Sequence, residues 1–330
     1  MEDKKMLRKC LFAFLMLCML TPFAIPQEEK DNALTLERIF KEREFRSERV
    51  GKSRWLENGK YYSKIESSEK IENGNEIVFY EPESGDRTVK IPASKLIPPG
   101  GNKPMSISNY IWSPDNRYLL IFTNTKRVWR MNTRGDYWLL NLENWELRRI
   151  GKNAEPSSLM FAKFSPDSKK IAYVCKNNIY VEHIRNGHTW QLTWDGSEKI
   201  INGTSDWVYE EEFRLRDGFR WSPDGKYIAY WQFDTEGVGE FLMINNTDSL
   251  YSYTIPVQYP KVGTTNSACR VGIVPAAGGL TRWLNVPGDL RDNYIPWMEW
   301  AENSEQVLIQ RMNRLQNINH LMLGNATTGD

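Results

Sequence analysis

Three consecutive glutamates, Glu210, Glu211 and Glu212, sit in the stretch SDWVYEEEF between Ser205 and Phe213. A glutamate run is usually a solvated face. Here Trp207, Tyr209 and Phe213 bracket it, and aromatic neighbours argue for a segment held against a core. Carboxylates fixed side by side repel one another, which raises the pKa of one of them unless a cation relieves the repulsion. A ligand ammonium between two such groups would gain about 4 kcal/mol per contact at 4 Å and an effective dielectric of about 20, before desolvation. The chemistry this cluster suits is recognition of a positive charge.

The chain holds few groups that could make or break bonds. No G-x-S-x-G nucleophile elbow occurs in the 330 residues. The only histidines are His183, His188 and His320, and the first two flank the hairpin-like stretch IRNG. No H-E-x-x-H or paired-cysteine spacing suggests a metal, and no cofactor is expected. Of the four cysteines, Cys10 and Cys18 precede the main chain body, and Cys175 lies in the apolar run IAYVC, where a buried thiol is expected.

The elements that must position the glutamates are read from a repeat. An aromatic, a polar turn and a β-rich strand recur at Trp55, Trp112, Phe164, Trp221 and Trp300, at spacings of 57, 52, 57 and 79 residues. In the fourth copy Pro223 presets φ, Asp224 supports the turn and Gly225 tolerates positive φ. In YIAYW both alternating faces are apolar, so this strand is expected to be buried on both sides. A period near 50 residues, each unit worth four short strands, predicts an all-β fold of propeller blades over 51–330. The Trp300 copy is followed by only 30 residues, ending at GNATTGD, which looks like a hairpin turn without its return strand, so the expected propeller is incomplete, with about five blades.

Upstream, Lys4, Lys5, Arg8 and Lys9 precede an apolar run to about Ile25 that is interrupted by Pro22. The pattern predicts an export signal over 1–25 rather than a membrane anchor, and hence a periplasmic or extracellular location. Residues 26–50 are expected to form a lead-in with one short helix, with Leu36, Ile39 and Phe40 on one stripe and Thr35 as its cap. The 43 basic and 42 acidic residues balance, which argues against a nucleic-acid partner.

DWVYEEE, from Asp206 to Glu212, resembles the glutamate motif of the dipeptidyl peptidase IV family of prolyl oligopeptidase-like serine peptidases. The resemblance continues through LTLERIF, WRMNTRGDYWLLNL from Trp129, NNIYV from Asn177, YPKVG from Tyr259 and IQRMNRLQN from Ile309. It implies that Glu211 and Glu212 bind the free amino terminus of a peptide substrate. It also implies that Arg130 bonds a substrate backbone carbonyl. By residue type Arg127 or Arg134 could serve equally, and the register of Trp129 and Tyr137 favours Arg130. The implied activity is serine-type release of amino-terminal dipeptides, with Pro or Ala preferred at the second position. In the family the catalytic α/β-hydrolase domain follows the propeller, and the full enzyme can form a homodimer. That catalytic region is absent from these 330 residues, so the expected role is the substrate-binding part of the peptidase. The alternative is a non-catalytic propeller that binds peptide amino termini or acts as a scaffold.

Overall fold

The computed structural model describes residues 33–47, 51, 53–56 and 59–330. The expected export signal lies outside the described residues. The chain divides into two units at Gly51/Lys52. In the first, the expected helix is a single wide turn, Glu37–Lys41, closed by the Glu42 amide on the Glu37 carbonyl. The Thr35 hydroxyl accepts from the Arg38 amide at 3.2 Å. The stripe of Leu36, Ile39 and Phe40 is exposed, so this turn gains nothing from apolar burial.

The second unit is a run of antiparallel blades. Blade one is β1–β4 (Arg54–Leu56, Tyr61–Ser67, Asn75–Tyr80, Arg87–Ile91). Blade two is β5–β8 (Asn109–Trp112, Tyr118–Val128, Met131–Asn141, Leu147–Arg149) and blade three is β9–β12 (Leu159–Phe164, Lys170–Cys175, Asn178–His183, Thr189–Gln191), the two joined into one eight-stranded sheet where Arg134 and Gly135 of β7 pair with Met160 and Leu159 of β9. Blade four is built from β13 (Ile200–Asn202), β14 (Phe219–Trp221), β15 (Tyr227–Asp234), β18 (Ala268–Pro275) and β19 (Arg282–Trp283). A separate hairpin, β16–β17 (Glu240–Asn245, Tyr253–Gln258), is inserted between β15 and β18 and accounts for the long last spacing of the repeat. Blade five is the three-stranded sheet β20–β22 (Asn293–Trp300, Gln306–Asn313, Asn319–Asn325). This is the partial β-propeller the repeat predicts.

Apolar cores lie between blades, because a single blade cannot bury its own faces. Ile77, Leu119 and Ile121 join blades one and two, and Leu120, Ile171 and Tyr173 join two and three. Val174, Phe219 and Tyr230 join three and four. Between four and five, Trp231 is fully buried and its Nε1 donates to the Ile295 carbonyl at 2.8 Å. β15 is buried on both faces, as its composition requires.

The polar turns are a second, inter-blade connection. Asp224 accepts from the Ser222 hydroxyl at 2.7 Å and the Lys226 amide at 3.0 Å, while Gly225 takes φ +67°. The same geometry recurs at Ser113–Asp115 and Ser165–Asp167. These turns also meet one another: the Asp115 amide donates to Ser168 Oγ, and the Asp224 amide to Ser304 Oγ. Both Cys175 and Cys269 are buried free thiols, pushed to higher pKa by burial.

Candidate functional site

The glutamates lie on one short helix, α1 (Trp207–Phe213), in the connection that leads into β14. Sequence-local chemistry starts and stops it. The Asp206 carboxylate accepts the Tyr209 amide at 2.9 Å, and Arg214 closes the far end in the left-handed conformation, φ +57°. Tyr209 fixes the helix to the core between blades four and five. Its ring packs 4.5 Å from Phe233 and 5.3 Å from Phe213, and its hydroxyl accepts the Ile295 amide at 3.0 Å. The Ser267 hydroxyl donates to the other Asp206 oxygen at 2.6 Å, tying the cap to the segment that enters β18.

Successive residues on a helix point in different directions, and the three carboxylates meet three environments. Glu210 turns inward and is buried, with Oε1 3.0 Å from Arg216 Nε. Burial raises its pKa, and Arg216 opposes the rise. Glu211 is largely covered, and both its oxygens accept from Arg130 Nε, at 2.6 and 2.7 Å. The contact raises the Arg130 pKa and holds the guanidinium charged. Glu212 is exposed and has no hydrogen-bond or ion-pair partner among the described residues. It borders a cleft of about 1340 Å³ whose walls include Trp207, Phe241, Tyr259 and Tyr294. The Trp207 and Tyr259 rings lie 4.3 Å apart.

Arg130 comes from blade two, 81 residues away in sequence. It occupies the tip of the β6–β7 hairpin, after the last strand pair Val128↔Met131. Of the three candidate arginines, it alone meets a glutamate of α1. Arg127 Nε donates instead to the Trp129 carbonyl at 2.8 Å, and Arg134 is exposed in strand register with Lys126. Only Nε of Arg130 is engaged, so both terminal nitrogens remain without an intramolecular acceptor among the described residues. The arrangement juxtaposes a free carboxylate, a paired carboxylate and a guanidinium with donors to spare. Such a set can take an ammonium and a neighbouring carbonyl together.

The sequence reading had no grounds for the separate fates of the three glutamates. It also missed Arg216 as the counter-ion of Glu210. The Asp206 cap was likewise not anticipated, although an Asp ahead of an apolar-periodic stretch is the signal of a helix start. His183 and His188 fall at the β11–β12 turn, where the His183 amide donates to the His188 carbonyl.

A series of β-blades carrying an acidic helix that faces a hairpin arginine defines a partial β-propeller with a charged inter-blade site. Residues 113–330 match the family described as the dipeptidyl peptidase IV (DPP IV) N-terminal region, and the chain belongs to that family. Human prolyl endopeptidase FAP is 32% identical over 257 residues, which cover 76% of this chain and 32% of the relative. Dipeptidyl peptidase 4 of Felis catus is 29% identical over 276 residues, covering 80% and 34% respectively. The crystal structure of Porphyromonas gingivalis dipeptidyl peptidase 4 superposes with a TM-score of 0.79 at 25% identity, over 90% of this chain and 41% of that one. The chain thus spans about a third of the length of the curated relatives it matches. The catalytic domain is not within it.

Proposed function

We propose that this chain is the substrate-gripping region of a serine-type dipeptidyl peptidase. Glu212, with Glu211 beside it, takes the free α-ammonium of a peptide, and the terminal nitrogens of Arg130 donate to a backbone carbonyl near that end. The observation that carries the reading is the Arg130–Glu211 contact, which leaves the guanidinium's outer donors and the Glu212 carboxylate open. Holding the chain end at two points sets how far the peptide reaches toward a nucleophile. Bond cleavage would then fall at the second peptide bond, and the nucleophile would come from a hydrolase domain that this region must meet.

The test uses a peptide beginning Ala-Pro, labelled at its carboxyl end, and fluorescence anisotropy with the protein. Acetylating the peptide's amino terminus is expected to weaken binding by at least about tenfold, the loss of one charge-assisted contact. Glu212→Gln and Arg130→Met are expected to do the same. Equal binding of acetylated and free peptides would sink the proposal.

Two further parts of the reading concern location and assembly. We propose export through the amino-terminal segment to the periplasm or cell exterior; no helix among the described residues is long and apolar enough to cross a membrane. We also propose that the β16–β17 hairpin is a contact of a homodimer. It exposes Leu242, Met243, Ile244 and Tyr253, and a lone two-stranded ribbon is marginal in water.

A further inference from the structure

The β6–β7 hairpin departs from regular pairing at its root and again toward its tip. At the root, Asn124 and Thr125 oppose the single residue Gly135 between the pairs Thr123↔Asp136 and Lys126↔Arg134. Toward the tip, Arg127 opposes Asn132 and Thr133 between Lys126↔Arg134 and Val128↔Met131. Each extra residue bends the strand that carries it and re-aims what lies beyond. At the root the bend is held by side chains. Asn124 is left-handed at φ +46°, and its Nδ2 donates to Asp136 Oδ2 at 2.7 Å. The buried Asp136 also accepts from Arg149 Nη2 and from the Ser157 amide, each at 2.8 Å. The Ser157 hydroxyl returns to the Asn124 carbonyl at 2.6 Å. Gly135 is required here, since a Cβ would lie 2.5 Å from the Phe122 ring and 2.7 Å from the Thr123 carbonyl oxygen.

At the tip, Trp129 is held at φ +47°, a conformation bulky residues rarely adopt. Such an outlier persists only where the surroundings over-determine it. The observed restraint is Arg127, whose Nε binds the Trp129 carbonyl. The next residue is Arg130. Its side chain is mostly exposed, so packing does little to fix it.

We infer that these features are a positioning device: Asn124, Asp136 and Ser157 set the bend of the hairpin, and Arg127 locks its turn, so that Arg130 is presented to Glu211 and to substrate. The inference rests on the reading of Arg130 as a donor to the peptide. Arg127 and Asn124 touch no substrate and act through Arg130. Losing either one leaves the arginine present but misdirected.

The experiment is a double-mutant cycle read by affinity for the labelled Ala-Pro peptide. Asn124→Gly keeps the left-handed backbone accessible and deletes the bond to Asp136. Arg127→Met deletes the lock, and Arg127→Lys retains a donor. Both deletions are expected to weaken binding about tenfold, with Arg127→Lys recovering most of it. In an Arg130→Met background neither deletion is expected to have a further effect. A merely structural role would shift the urea midpoint and weaken binding equally in both backgrounds, which would overturn the inference. Unchanged affinity in both deletions would also overturn it. If Arg130→Met itself binds like the parent, the reading of Arg130 fails and the device falls with it. If Arg130→Met weakens binding and the hairpin variants do not, only the device is lost.

Discussion

Asp206→Ala removes the group on which the whole acidic helix depends. The carboxylate is buried and makes two bonds, to the Tyr209 amide at 2.9 Å and from the Ser267 hydroxyl at 2.6 Å. Loss of a side-chain N-cap costs about 1 kcal/mol. Leaving the Ser267 hydroxyl, also buried, without its acceptor adds about 1–3 kcal/mol. The sum is about 2–4 kcal/mol, read as a lower urea midpoint at unchanged m-value. Asp206→Asn separates shape from charge. Its carbonyl oxygen can still accept the Tyr209 amide, and its amide can donate to Ser267 Oγ, so it is expected to cost little at neutral pH. The sign with pH follows from the direction of the shift. Burial raises the Asp206 pKa, against the Ser267 and Tyr209 bonds that favour the charged form. The protein is therefore most stabilised at this site below the ordinary carboxylate pKa, and it loses that advantage as pH rises through the raised value. The difference in stability between Asp206→Asn and the parent should shift in favour of the variant over that rise. Equal destabilisation by Ala and Asn, or a flat difference across pH, would refute the account of the cap.

The turn carboxylate Asp224 has the opposite sign. Burial acts against its charged form but is outweighed by the Ser222 hydroxyl, the Lys226 amide and side chain and the Ser304 hydroxyl, bringing its pKa to about 2. The stability it adds is complete above about pH 4 and lost as pH falls toward 2, so Asp224→Asn should flatten the acid limb of a stability–pH curve between those values. A parallel acid limb in the variant would show that the turn contributes nothing there. For the inserted hairpin, Ile244→Asp is expected to leave the thermal midpoint unchanged and to convert a sedimenting dimer to monomer. A parent that sediments as a monomer at all concentrations would remove the hairpin from that role.

Local spacing by itself determined much of this protein. The aromatic–turn–strand repeat marks the blades because period-two apolarity and Pro/Asp/Gly turn chemistry act over a few residues. YIAYW is buried on both faces because it has no polar face to offer water. The aromatics around Glu210–Glu212 announced a segment packed on a core, and Tyr209 is buried in that core with Trp207 and Phe213 half-buried against it. The 79-residue gap before Trp300 stood in the sequence only as an irregular repeat spacing, and the structure fills it with the exposed hairpin β16–β17. At the other end, the stripe Leu36–Ile39–Phe40 had the period of a helix and became one exposed turn, since periodicity without a burying surface supplies little stability.

Tertiary structure alone decided the site. Three adjacent glutamates are chemically identical in sequence, and only the way α1 docks through Tyr209 sends Glu210 to Arg216, Glu211 to Arg130 and Glu212 to the cleft. Which arginine of Arg127, Arg130 and Arg134 reaches the helix depends on the bulges and turn of a hairpin two blades away. The physical reason is the range of the forces involved. Turns, caps and strand faces are set by neighbours in the chain, whereas a contact across 81 residues exists only after the intervening blades have packed and fixed its two ends.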